Sequence, residues 1–170
     1  MLKGKQLLGS YNSKVMNISL NTLADISKSL GLKVRSHKSL VQEDTLIIQA
    51  LAKKLSSIGS FEDAMPLYHQ LVVNSTTCEN HWYGLGVCLM NCNKFELAAK
   101  AFNVLSQLSN PPLETFLHLA ECHFNLGLFI EGEKNLDECK TNHALKDPRL
   151  IERVKELEAF WLNASSQKGA

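Results

Sequence analysis

Six side chains in the middle of the chain have the types and spacing that site chemistry uses. Cys88 and Cys92 stand four residues apart, as do His118 and Cys122, and Cys78 precedes His81 by three. On a helix such pairs share a face, so they could supply zinc ligands, or a thiolate nucleophile beside an imidazole base. The wider pattern argues against both. No pair has the short CxxC spacing of a structural zinc site. Cys88 and Cys122 lie one 34-residue period apart, which makes them equivalent small packing positions between paired helices. His123 falls where an aromatic belongs and reads as a packed or rim side chain. The chain has no phosphate-cradling glycine loop, no GxSxG and no HExxH. No catalytic residue, metal ligand or cofactor is therefore expected, and the protein is not expected to be an enzyme.

The elements that carry these residues are bounded by composition. With 170 residues, 45% hydrophobic and 21% charged, the chain can bury a sizeable core and reads as one soluble domain. A formal net charge of +1 gives no long-range attraction for nucleic acid or a membrane surface. The opening "MLKGKQLLGSYNSKVMNISLN" has no continuous apolar run of the signal-peptide kind, and no stretch is long and apolar enough to span a bilayer. Five scattered cysteines fit reduced thiols better than a disulfide framework. A cytoplasmic location is expected.

Phe61, Phe95 and Phe129 recur at 34-residue intervals. Two residues before each stand Gly59, Asn93 and Gly127, the residue types that accept the left-handed conformation at a helix end. Ala64 and Ala98 follow the first two, and Tyr68, Phe102 and Leu136 follow all three at helical spacing. Upstream, Leu51, Leu85 and Leu119 repeat, each followed by a small residue, Ala52, Gly86 or Ala120. The pattern resembles the tetratricopeptide repeat three times without a gap. It implies an all-α fold, three repeats over residues 45–146 forming a right-handed helical solenoid, with an N-terminal helix and a C-terminal capping helix. Gly132 stands where the third copy should have alanine, with an expected cost to its helix of roughly 0.5 to 1 kcal/mol. Pro66 inside the first copy's second helix predicts a late start or a kink.

The flanks follow from periodicity. Residues 1–44 form an N-terminal segment in which Leu20, Leu23, Ile26 and Leu30 make the apolar stripe of a short helix, about residues 19–30, ended by Gly31. Residues up to about Asn17 are expected to be loosely ordered, and "KVRSHKSLVQED" reads as a linker. A capping helix is expected over 147–164, with Asp147 as N-cap, Pro148 at its first position, and Leu150, Ile151, Val154, Leu157, Phe160 and Trp161 at helical spacing. Residues 165–170 read as a frayed tail.

Stacked helix pairs make a concave face lined by the first helix of each pair, a surface suited to an extended peptide or a partner helix. The register places Gln49 and Lys53 there from the first copy, Tyr83, Val87 and Met90 from the second, and Leu117, His118, Glu121 and Phe124 from the third. This is a mixed groove of apolar pockets flanked by amide and carboxylate groups. It is a poor grip for an acidic C-terminus. At the positions where a carboxylate clamp needs Lys, Asn and Arg, the chain has Gln49, Lys53, Gly84, Glu114 and His118, and Glu114 would repel a terminal carboxylate.

The short helix containing "NTLADI", a second repeat reading "YGLGVCLMNCNKFELAAKAF", a third opening "FLHLAECHFNLG" and a single C-terminal helix together resemble the class II chaperones of bacterial type III secretion, over residues 20–163. "HLAEC", His118 to Cys122, is the most telling local match. The resemblance implies a groove that clasps an extended segment of a secreted hydrophobic translocator and keeps it soluble until export. It also implies a homodimer through the N-terminal helix, with Leu20, Leu23, Ile26 and Leu30 at the contact. Two other readings use the same fold: a co-chaperone holding the helical needle subunit of such a system, and a tetratricopeptide adaptor in another assembly.

Overall fold

The residues that mark helix stops are where the backbone turns. In the computed structural model, which describes residues 2–32, 42–109, 111–141 and 147–168 and, among them, the side chains of 13–32, 42–109, 111–141 and 147–163, Gly59, Asn93 and Gly127 take φ values of 80°, 57° and 74°. Each is followed by an N–H that reaches back over the turn: Ser60 N to Leu55 O, Lys94 N to Leu89 O and Leu128 N to His123 O, all at 2.9 Å. These bonds close the last turn of one helix and send the chain back along it as the next.

Eight helices result among the described residues: α1 Leu2–Leu30, α2 Gln42–Ser57, α3 Phe61–Asn74, α4 Glu79–Asn91, α5 Phe95–Ser106, α6 Glu114–Asn125, α7 Phe129–Thr141 and α8 Pro148–Lys168. The pairs α2/α3, α4/α5 and α6/α7 are the three tetratricopeptide units, and the second helix of each packs on the first helix of the next. They stack as a right-handed helical solenoid flanked by α1 and α8. No described helix is long and apolar enough to cross a membrane.

The flanking helices are longer than periodicity implied. α1 begins at Leu2, so the stretch expected to be loose is part of it from that residue on, while Met1 lies outside the described residues. α2 begins at Gln42, inside the stretch read as linker, whose residues 33–41 lie outside the described set. α8 runs to Lys168, past the expected boundary at 164, with residues 169–170 outside the described set. Asp147 starts it, its Oδ1 accepting from Arg149 N at 2.9 Å and its carbonyl from Ile151 N at 3.0 Å.

Two local features of the sequence find a physical explanation in the structure. α3 starts at Phe61 and continues through Pro66. Pro66 and Glu62, whose carbonyl loses its helical donor there, are both exposed, so water can replace the missing bond. Gly132 is a fitting choice, because a Cβ there would overlap the Phe124 ring. Gly84 meets Tyr68 and Gly86 meets Phe102 in the same way, so these glycines let helices of adjacent elements approach closely.

The core falls into two clusters. The larger joins α1 to the first two repeats, with Ile26, Leu71, Trp82, Leu85, Leu89, Phe102 and Leu105 fully buried. Trp82 keeps its polar end satisfied, Nε1 donating to Thr76 O at 2.8 Å. The smaller holds Leu117, Ala120 and Phe124 of α6, Leu136 and Cys139 of α7, and Leu150, Val154 and Leu157 of α8. α1 is held on α3 and α5. His69 Nε2 lies 2.7 Å from Ser27 Oγ, which itself donates to Leu23 O at 2.6 Å, and Lys100 Nζ lies 3.4 Å from Asp25.

Candidate functional site

The groove expected from the sequence draws on α2, α4 and α6, helices that share a period, so the expected lining recurs from repeat to repeat. α2 contributes Gln49, half-buried, and Lys53, exposed. α4 contributes Tyr83, Val87 and Met90, each partly buried against the larger core. α6 contributes His118 and Glu121, whose side chains are 18% and 19% exposed. Leu117 and Phe124 are core side chains, 3% and 5% exposed, packed towards α7 and α8.

Three of the expected residues are brought together. Tyr83 Oη lies 3.3 Å from His118 Nε2, and His118 Nδ1 lies 3.7 Å from Glu121 Oε2, which is ion-pair range but beyond a hydrogen bond. A proton on Nδ1 faces the carboxylate and leaves Nε2 to accept from the tyrosine hydroxyl. Phe102, on α5, underlies the pair: its ring stacks on His118 with centroids 5.1 Å apart and meets Tyr83 edge-on at 6.3 Å. Arg153 of α8 completes the row, Nη2 lying 2.6 Å from Glu121 Oε1. His118 beside it lowers the Glu121 carboxyl pKa, burial opposes this, and Arg153 adds to the lowering. Burial pushes the Tyr83 hydroxyl up, with Glu114 adding to it, so the hydroxyl is a neutral donor across the physiological range.

Beyond Glu121 the row opens into a cleft of about 280 Å³ between α6 and α8, lined by Glu121, Phe124, Asn125, Arg153, Glu156, Leu157 and Phe160. The α8 contribution was missed from sequence, although a signal existed: one repeat length after Glu114 falls Pro148, so α8 starts where a further first helix would start. The cysteines take the packing role. Cys88 and Cys122 are fully buried, and burial first of all pushes their thiols up to about 11 and about 12, too high for a nucleophile. Among the described residues no group of three or more His, Cys, Asp or Glu could hold a metal ion.

The four residues expected at a dimer contact divide. Leu23 and Ile26 are buried within the chain and Leu30 is partly buried, all in the larger core, while Leu20 is 45% exposed.

No protein-family model matches the chain, and no curated protein sequence matches it significantly. Solved structures do. The type III secretion chaperone SycD of Yersinia enterocolitica, in complex with a peptide of the translocator YopD, superposes with a TM-score of 0.66 at 22% identity, covering 78% of this chain and 100% of that one. The chain has the fold of these chaperones. PcrH in complex with the chaperone-binding region of PopD gives 0.65 at 19% identity over 77% of this chain and 98% of that one. A type III secretion complex from Aeromonas hydrophila gives 0.65 at 17% identity over 86% and 97%. Agreement of fold at such low identity is what a shared helical register produces, because the register constrains small, aromatic and turn positions and leaves most others free.

Proposed function

We propose that this chain is a chaperone of a type III secretion system. It takes an extended segment of a hydrophobic translocator into the groove of α2, α4 and α6, keeps that segment soluble in the cytoplasm until export, and works as a homodimer. The observation that carries the reading is the fold shared, over the full length of the other chain, with a chaperone solved around a translocator peptide. The groove chemistry supports it. Val87 and Met90 offer partly buried apolar surface, and the Tyr83, His118, Glu121 and Arg153 row offers polar atoms to a peptide backbone. The action is physical: an apolar segment that would otherwise aggregate is covered. No step of bond chemistry is involved.

Co-expression with the products of neighbouring genes, followed by limited proteolysis of what co-purifies, tests the reading. A protected extended segment bearing Pro and Leu is expected. A protected helix of a small protein would replace it with the needle co-chaperone, and the absence of any stable client would leave an adaptor. Tyr83→Ala removes the hydroxyl that meets His118 and the ring that packs on Phe102. Client affinity is expected to fall about tenfold or more with helical circular dichroism unchanged. Unaltered affinity would remove the concave groove as the site.

A further inference from the structure

α8 starts one repeat length after α6, but it does not close on the array as a further first helix would. Leu85 of α4 and Leu119 of α6 occupy equivalent positions and are buried, and the next member of that series, 34 residues on, is Arg153. A guanidinium cannot be buried there as a leucine is. Arg153 reaches across to α6 instead, Nη2 lying 2.6 Å from Glu121 Oε1, while Nη1 lies 3.1 Å from Glu156 Oε2 on its own helix. The cleft of about 280 Å³ lies between the two helices, with the nearly buried Phe124 and Leu157 in its lining and Phe160 on its α8 side. A helix that only capped the array against water would carry a polar side chain at such a place, whereas Phe160 is 58% exposed. A cavity of about 150 Å³ holds one benzene ring, so the cleft has room for one large side chain with its backbone and is too small for a helix.

We propose that the cleft is a further subsite of the groove, which takes one large apolar side chain of the client segment with a basic residue of the client beside it. The subsite rests on the chaperone reading of the groove and adds to its specificity. Continuity selects the client as occupant. Contacts run without a break from Tyr83 through His118 and Glu121 to Arg153, at 3.3, 3.7 and 2.6 Å, so a segment lying across α4 and α6 arrives at the mouth of the cleft. Charge selects the neighbouring residue. One guanidinium, Arg153, meets two carboxylates, Glu121 and Glu156, and Glu156 is the exposed one of the two, so the rim carries net negative charge and favours a cation. Spacing sets where the anchor falls in the client. Packed helices lie about 8–10 Å apart and an extended chain advances about 3.3 Å per residue, so two helix steps place the anchor about five or more residues from the client residue over Met90.

The test places a photo-cross-linker in the full-length chain at one of two positions, Phe160→p-benzoylphenylalanine in the cleft or Met90→p-benzoylphenylalanine in the groove, co-expresses each with the products of neighbouring genes, and maps the links by mass spectrometry. Both positions are expected to link the same segment of one client, the link at 160 falling on a large apolar residue with Lys or Arg within two positions. Asn125→Trp, which fills the cleft from an exposed position on α6, is expected to abolish the link at 160, keep the link at 90 and weaken client binding about tenfold. The link at 160 decides the matter even if Asn125→Trp folds poorly, because the cross-linker keeps the ring of Phe160. A link at 90 with none at 160, a link at 160 to another protein or to an acidic stretch of the client, or undiminished affinity in a folded Asn125→Trp chain would each overturn the subsite and leave the chaperone reading standing. No link to a client at either position would overturn both.

Discussion

Gly132 shows how a single atom decides at the residue scale. On helix propensity alone it is a poor choice, and alanine would gain roughly 1 kcal/mol. The Phe124 ring occupies the space where that methyl group would go, and the ring is itself held in the core near Phe129. Gly132→Ala is therefore expected to destabilise the protein by about 1 to 3 kcal/mol, read as a lower urea midpoint at unchanged m-value. A higher midpoint would mean that Phe124 moves freely. Leu117 carries a similar lesson: as a side chain buried among α6, α7 and α8, it is unsuited to probing the groove. A glutamate there would cost several kcal/mol through burial of a charge before any client could report on it.

At the scale of elements, α1 is part of the core. Its residues Val15, Leu23 and Ile26 fill the larger cluster, and the Ser27 and His69 pair ties it to α3. Removing residues 1–32 would uncover the matching surface of α3 and α5. The truncated chain is expected to melt at lower temperature and to aggregate, measured by differential scanning calorimetry and light scattering; a truncated chain with the wild-type melting temperature would show that α1 is only laid on. α8 differs, joined to α6 by a small apolar core and by Arg153 to Glu121. It closes the last repeat and supplies one wall of the cleft beside the groove.

At the scale of the whole molecule, stability should depend on pH through two buried histidines and one half-buried one. His69, His81 and His123 all have pKa values lowered from 6.5, in each case first of all by burial. Below that value the unfolded chain binds protons that the folded chain refuses, so each histidine withdraws stability as pH falls from about 6.5 towards its own folded pKa. Urea midpoints are expected to decline between about pH 7 and 5, before most carboxylates titrate. His69→Gln should flatten part of that decline, since glutamine can still donate to Ser27 without charging. A flat midpoint through this range for the wild type would contradict the burial of His69 and His81.

The 34-residue return of Phe, of the turn residues Gly59, Asn93 and Gly127, and of Leu51, Leu85 and Leu119 was enough to determine the solenoid, because repeated units must bury the same positions against each other. The same register put Tyr83 and His118 on neighbouring first helices, 35 residues apart and so one position off the repeat, where they do meet. Periodicity could not say which apolar residues face a neighbour and which face solvent at the ends of the array, since a stripe looks the same whether its own chain covers it or not. Only the tertiary structure placed Leu23 and Ile26 inside, left Ile47 and Leu51 outside, buried Leu117 and Phe124 under α8, and brought Arg153 to Glu121. Those outcomes depend on how the two unrepeated helices dock, and docking depends on surfaces distant in sequence that no local pattern records.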